Sequence, residues 1–417
     1  MKKKLYYIIC MVICLKVEAQ VSTFKTVDSL TNIGRYQKAL QALRELPEDF
    51  ITNKKTAHIY EAIDNHKLAS TYYMKSLSIK EDYTVKVKLG KTYVKLGQIG
   101  KAITVFEEII KNDSENLLVK YELGKLYLKT NRVRKAADVF KELIKADNSN
   151  ANYSYYLGLV YDKQKENNKR IDAYLDAYKK DDEHIKAIEK LAIAYRALRD
   201  KDSSNLFVEK GLQIAPYNSN LNRLKINEFY RSEKYNEAIG LLKKIDSIEP
   251  NEHYTHKMLG KCYLKINDNI NAKKHFSKAL TLDGEDYSSH IFLGNIYFEE
   301  KELSKSIMNY FMATMVGKEP RDEAHLGIAN VFFEQKKPIR VIEHYKKAIA
   351  ENGANYKALY LLANFSDNYY KDKKIAYTHY KKYIDKFEYK DAVYTQTAKE
   401  RIKDIKKEFF LQGEILE

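Results

Sequence analysis

The feature that most restricts this chain is a period of 34 residues running through its centre without a break. Leu89-Gly90, Leu123-Gly124 and Leu157-Gly158 recur at that spacing, and the register continues through Leu191-Ala192, Lys225-Ile226, Leu259-Gly260 and Leu293-Gly294. Three residues after each second position stands an aromatic: Tyr93, Tyr127, Tyr161, Tyr195, Phe229, Tyr263 and Tyr297. Small residues recur at Ala102, Ala136, Ser204, Ala238, Ala272 and Ser306, with Arg170 as the exception. Four residues later come the bulky Phe106, Phe140, Tyr174, Val208, Leu242, Phe276 and Tyr310. A fixed period of this length marks stacked supersecondary units, none of which can bury its apolar face alone. With only 5 Pro and 15 Gly in 417 residues, the turn chemistry of a β-sandwich is missing. Helices are what remain.

Each unit reads as a helix pair. Gly or Ala at the eighth position lets two helix backbones approach, and small and large side chains alternate across the contact. Gly97, Asn131 and Asn267 fall between the two helices, where a left-handed residue is needed. Ala215-Pro216 and Glu249-Pro250 stop a helix at the end of a unit, and Asp113, Asp147 and Asp283 share that boundary. Leu-Gly, then Tyr, Ala, Phe and Pro in 34 residues resembles the tetratricopeptide repeat. The resemblance implies an all-α fold, a right-handed solenoid of about eleven antiparallel helix pairs with a C-terminal capping helix. The expected organisation is a signal peptide over 1–19, degenerate hairpins over 20–82, a regular array over 83–321, divergent repeats over 322–390, and the capping helix and tail over 391–417. Gly34-Arg35-Tyr36, Ala39, Leu43, Ala69 and Tyr73 mark the degenerate hairpins, and the period slips by one after Met315. Val393, Ala398, Ile402, Ile405 and Phe409 form the apolar stripe of the cap.

The N-terminus carries a separate message. Lys2, Lys3 and Lys4 precede an 11-residue apolar run, Leu5 to Leu15, and Val17-Glu18-Ala19 offers a cleavage site ahead of Gln20. That is the layout of an export signal, and the run is shorter than the ~20 helical residues that span a bilayer. Cys10 and Cys14 each follow an Ile, where a lipidation signal wants a small residue. The expectation is an exported chain, periplasmic or envelope-associated, with no transmembrane segment after cleavage. Cys262 is then the single thiol, best kept buried in an oxidising compartment. Cleavage removes four Lys and one Glu, leaving 69 basic against 56 acidic residues, a surplus of +13. Such a surplus selects partners rather than folds. For an exported protein it favours an anionic surface or acidic polypeptide over nucleic acid.

Catalytic chemistry is hard to find. Gly90-Lys91-Thr92 imitates the end of a phosphate-binding loop, but Val85 stands where the upstream Gly belongs and the stretch is helical. Ser22-Thr23-Phe24-Lys25 matches S-x-x-K without the companion motifs. His253 and His256 are spaced to share a metal, yet no third ligand is near, so they read as a solvent-facing pair. No nucleophile, base and orienting group come together. The reading is a non-enzyme that needs no cofactor or metal.

Partners of tetratricopeptide repeats usually lie along the concave face made by first helices, and the resemblance carries those positions onto this chain. Basic residues there include Lys91, Lys95, Lys125, Lys129, Arg223, Lys257, Lys261 and Lys265, against only Asp162, Glu189 and Glu299 as acids. Tyr121, Tyr155, Tyr230 and Tyr254 are interleaved as anchors. Arg223, Asn227, Lys257, Lys261 and Asn295 partly match the Lys/Asn arrangement with which some such domains grip a C-terminal carboxylate, although Ile291 replaces one cation. The expected function is a protein–protein interaction scaffold of the cell envelope, holding an acidic or carboxylate-presenting polypeptide within an envelope complex. A structural anchor on an anionic envelope surface, or the recruiting subunit of a separate enzyme, are the alternatives.

Overall fold

The computed structural model describes residues 21–416. Residues 21–32 are helical and pair with Tyr36–Arg44, and helices then follow in pairs from Phe50–Ala62 to Lys373–Phe387. Eleven pairs form among the described residues, followed by the helix Ala392–Leu411, and no strand occurs among them. The fold is an all-α solenoid of antiparallel helix pairs with a C-terminal capping helix. Two compact units divide it, the first ending at Asn222 and the second starting at Arg223. The expected signal over 1–19, with Cys10, Cys14 and the cleavage point at Gln20, lies outside the described residues.

Several first helices start where a polar side chain caps them. Asp82 accepts from the Val85 amide at 2.9 Å, Asn116 from Val119 at 3.1 Å, and Asn218 from Leu221 at 3.0 Å. In the same column the His184 imidazole accepts from the Ala187 amide. Each cap satisfies an amide that has no partner inside the helix. Pairs turn through one left-handed residue at matching positions: Gly97, Asn131, Lys165, Arg199, Glu233, Asn267 and Lys301, all at φ between 58° and 72°. Four of these are long charged residues that the composition did not mark as turn formers. Glu233→Gly is expected to raise stability by ~0.5 kcal/mol, because relief of left-handed strain slightly outweighs the freedom Gly adds to the unfolded chain. Glu233→Val should lower it by ~1–2 kcal/mol. Urea titration of the two variants separates them.

What closes a pair is a glycine facing a ring. A Cβ on Gly90 would lie 2.3 Å from Phe106, and one on Gly158 2.4 Å from Tyr174, so only hydrogen fits. The partner of the eighth position is thus the bulky residue sixteen positions on, in the second helix, rather than the aromatic three residues away. Where Ala192 or Ile226 replaces Gly, the residue sixteen on is the smaller Val208 or Leu242. Both helices come close enough for the Ser306 hydroxyl to donate to the Gly294 carbonyl at 2.8 Å. Arg170, the exception in the small column, spends its guanidinium on Asp162 at 2.6 Å.

Cys262 is buried, and burial pushes its thiol up to about 11, which keeps it unreactive. In the capping helix, Ala398, Ile405 and Phe409 are buried against Lys373–Phe387, but Val393 is 72 % exposed, contrary to the expected stripe. It sits in the first turn, ahead of the stretch that packs. No helix among the described residues is long and apolar enough to cross a membrane.

Candidate partner-binding surface

The expected site residues fall into the two units, and within each the structure sorts them into free and engaged. In the first unit Lys91, Lys95 and Lys129 are exposed. Lys125 donates to Glu122 at 2.8 Å and lies 4.6 Å over the Tyr121 ring. Tyr121 is itself wedged against Phe140, Tyr153 and Tyr156. Tyr155 is no anchor: it is 8 % exposed, packed on Tyr156, Tyr174 and His184, and burial raises its hydroxyl to about 12. Its first-helix position was correctly placed, but the neighbouring repeat covers it.

In the second unit two of the expected cations are already paired. Arg223 reaches Glu252 at 2.5 Å and stacks 4.7 Å over Tyr254, beside which lies Asn227. Lys257 donates at 2.7 Å to Asp286, a buried carboxylate that also takes bonds from Ser288, Ser289 and His253. Burial works to raise the Asp286 carboxyl, but the bonds from Lys257 and Ser289 outweigh it and hold it far below the usual range. Lys257 therefore supports the fold and is not free for a partner. The Asn295 side-chain oxygen accepts from the Tyr310 hydroxyl at 2.7 Å, leaving its amide nitrogen available.

The remaining residues converge. Tyr230, Lys261, Lys265 and Asn295 line one cleft of about 450 Å³, floored by Leu264, Phe292 and Ile296 and rimmed by Glu299. Lys261 is half-buried, 4.8 Å over the Tyr230 ring, and has no carboxylate partner among the described residues. Burial pushes its amine below the ordinary range, and the neighbouring Lys257 and Lys265 push it further. A desolvated cation without a counter-ion is costly, so an anion entering here gains more than it would at an exposed lysine. The apolar floor was missed because Phe292 and Ile296 lie off the positions the family uses.

A second cleft, about 500 Å³, opens further along this unit between Phe333 and Phe365, with Val341 and Pro338 beside them and Lys336 and Lys337 at its edge. Sequence reasoning missed it because the slip after Met315 displaces the groove positions. The expected solvent-facing pair His253 and His256 is also corrected. His256 is buried against His275, whereas His253 is bound to Asp286 at 3.0 Å. No group of three or more potential metal ligands occurs among the described residues.

Residues 121–185 and 258–286 match tetratricopeptide repeat families, and residues 10–134 match the family described as Soluble NSF attachment protein, SNAP. No curated protein matches the sequence. Among solved structures, yeast Tom70 aligns over 94 % of this chain and 97 % of its own at 13 % identity and a TM-score of 0.43. PilF of Pseudomonas aeruginosa aligns over 52 % and 98 % at 16 % identity and 0.44. MamA from Desulfovibrio magneticus RS-1 aligns over 42 % and 98 % at 21 % identity and 0.39. The family matches fall on helix pairs that repeat every 34 residues and close by a glycine against a ring. Residues 121–185 and 258–286 are tetratricopeptide repeats set in a run of like helix pairs, and the chain is a tetratricopeptide-repeat protein.

Proposed function

We propose that this protein is an exported, non-catalytic docking scaffold of the cell envelope, and that its second unit holds an acidic or carboxylate-presenting polypeptide. The observation that carries the partner's chemistry is Lys261: half-buried, unpaired, and set with Lys265 and the Asn295 amide around one apolar-floored cleft. A carboxylate can meet both amines while an adjacent apolar side chain covers Leu264 and Phe292. The Lys2–Lys4 cluster followed by Leu5 to Leu15 supports export.

Fluorescence anisotropy with labelled acidic peptides, with and without a free C-terminal carboxylate, tests the cleft. Lys261→Gln with Lys265→Gln is expected to weaken binding about 10- to 100-fold, the scale of one or two lost charge-assisted hydrogen bonds. Thermal stability should hardly change, because neither amine has an ion-pair partner to lose. Binding should also weaken as salt rises. Equal binding of neutral or basic peptides, or full binding by the double variant, removes this reading. N-terminal sequencing of the envelope-associated protein tests export: Gln20 at the start supports it, and an intact Met1 makes Leu5 to Leu15 an anchor.

A further inference from the structure

In several repeats the fourth residue of the first helix ties that helix to the second, and the two units make the tie with different chemistry. In the first unit the ties are ionic or carboxylate-based. Lys86 pairs with Glu108, Lys120 with Glu142 at 2.7 Å, and Ser154 donates to Asp176 at 2.6 Å, with Lys180 bound to both. In the second unit the same position holds His256, His290 and His325 in three successive repeats. His256 meets His275 with the two Nδ1 atoms 3.2 Å apart, and His325 meets His344 at the same 3.2 Å. The rings lie 5.4 and 5.2 Å apart. His290, between them, is buried with its Nδ1 unpartnered.

Two Nδ1 atoms at this distance form a hydrogen bond only if one carries a proton and the other a lone pair. One added proton still leaves a donor and an acceptor. A second sets two N–H groups and two cations face to face, and the tie is lost. The surroundings do not relieve this. Asp246 of the preceding helix lies 3.4 Å from the far nitrogen of His256, but Lys278 opposes it, and His275 faces Lys243 and Lys274 with the Tyr263 ring stacked on it. Around the second pair, Asp322, Glu351 and Glu343 favour charge while Arg321, Arg340 and Lys347 oppose it, and Phe332 covers His344. Burial, the first histidine of each pair and then the lysines hold His275 and His344 down to about 4.

We propose that these imidazole pairs make the second unit an acid-responsive element, whose paired-histidine hairpins open as pH falls below neutrality while the first-unit hairpins from Tyr83–Lys95 to Val133–Ala146, which hold no histidine, stay closed. A histidine lowered in the folded state leaves stability intact above about 6.5, its ordinary value. Stability is then lost as pH falls from there towards 4, because the opened state binds the proton that the closed pair refuses. Carboxylates ordinarily titrate near 4, at the foot of this window. The helix His253–Lys265 carries both His256 and the cleft amines Lys261 and Lys265, so opening it dismantles the cleft. This last consequence rests on the proposed function; the opening itself does not.

Hydrogen exchange on the full chain at pH 7.5 and 5.0, corrected for intrinsic rates, tests the device without any partner. Each proton taken up on opening increases the open population about 30-fold between pH 7.5 and 5.0. Protection in His253–Lys265, Asn269–Leu282, Asp322–Glu334 and Pro338–Glu351 should fall by at least that factor. The hairpins Tyr83–Lys95 with Ile99–Asn112, and Leu117–Lys129 with Val133–Ala146, should hold. His275→Gln with His344→Gln should remove the pH dependence. Equal loss in both units, or none in the second, overturns the proposal. Should the double variant not fold, proton resonances of the parent's imidazoles decide: titration of all of them near 6.5 with the fold intact also overturns it.

Discussion

Phe106→Ala is expected to destabilise the first unit by about 3–5 kcal/mol, among the largest effects a single substitution can have here. The ring is 1 % exposed and sits against Gly90, in contact distance of where a Cβ would be. Its removal leaves a cavity in a close-packed seam that cannot collapse without moving two helices. Gly90→Leu attacks the same contact from the other side and should cost about 1–3 kcal/mol by overpacking, despite leucine's better helix propensity. Urea unfolding read by circular dichroism measures both. The informative result is the double variant, in which the leucine occupies the vacated ring position. It should be more stable than the sum of the single losses by more than 0.5 kcal/mol. Simple additivity would mean the two positions do not oppose each other.

The second large effect is expected at the capping helix. Arg401 donates to both Asp367 oxygens, at 2.7 and 3.1 Å, and Lys373 stands 3.5 Å from the same carboxylate. Asp367 is buried, so Arg401→Ala leaves a poorly compensated charge between two helices. Removing one partner of a fully buried pair typically costs 3–5 kcal/mol, and the partial exposure of Arg401 reduces this to about 2–3. Limited proteolysis around residue 391 should accelerate accordingly. Replacing Arg401 by Met together with Asp367 by Leu should recover most of the loss, since apolar residues of similar volume need no counter-charge. Failure of that pair to recover would show that the bond positions the cap rather than merely neutralising it.

Much of the candidate site was legible in part. The groove register picked out Tyr230, Lys261, Lys265 and Asn295, and one cleft collects all four. The same register could not tell that Arg223, Lys125 and Lys257 are engaged, because Glu252, Glu122 and Asp286 become their partners only through side-chain reach. Charge counts along a face treat every lysine as free. His256 was misjudged for a related reason: its spacing from His253 suggested a shared direction, whereas its actual partner is 19 residues away on the second helix.

By itself the sequence determined the helix pairs, their 34-residue register, the slip after Met315 and the burial of columns such as Ala102, Ala136 and Ala272. These are local properties: a helical face recurs every three to four residues, and a unit that cannot bury its face alone must repeat it. Only the tertiary structure decided that Gly90 answers Phe106, that Tyr155 is core, that Asp286 consumes Lys257, and that two histidine pairs replace the ionic ties of the first unit. Each of these depends on side chains 16 to 29 residues apart reaching the same small volume. Which of two equally spaced residues arrives there is set by helix crossing and by the bulk of every neighbour at once, and no periodicity along the chain encodes it.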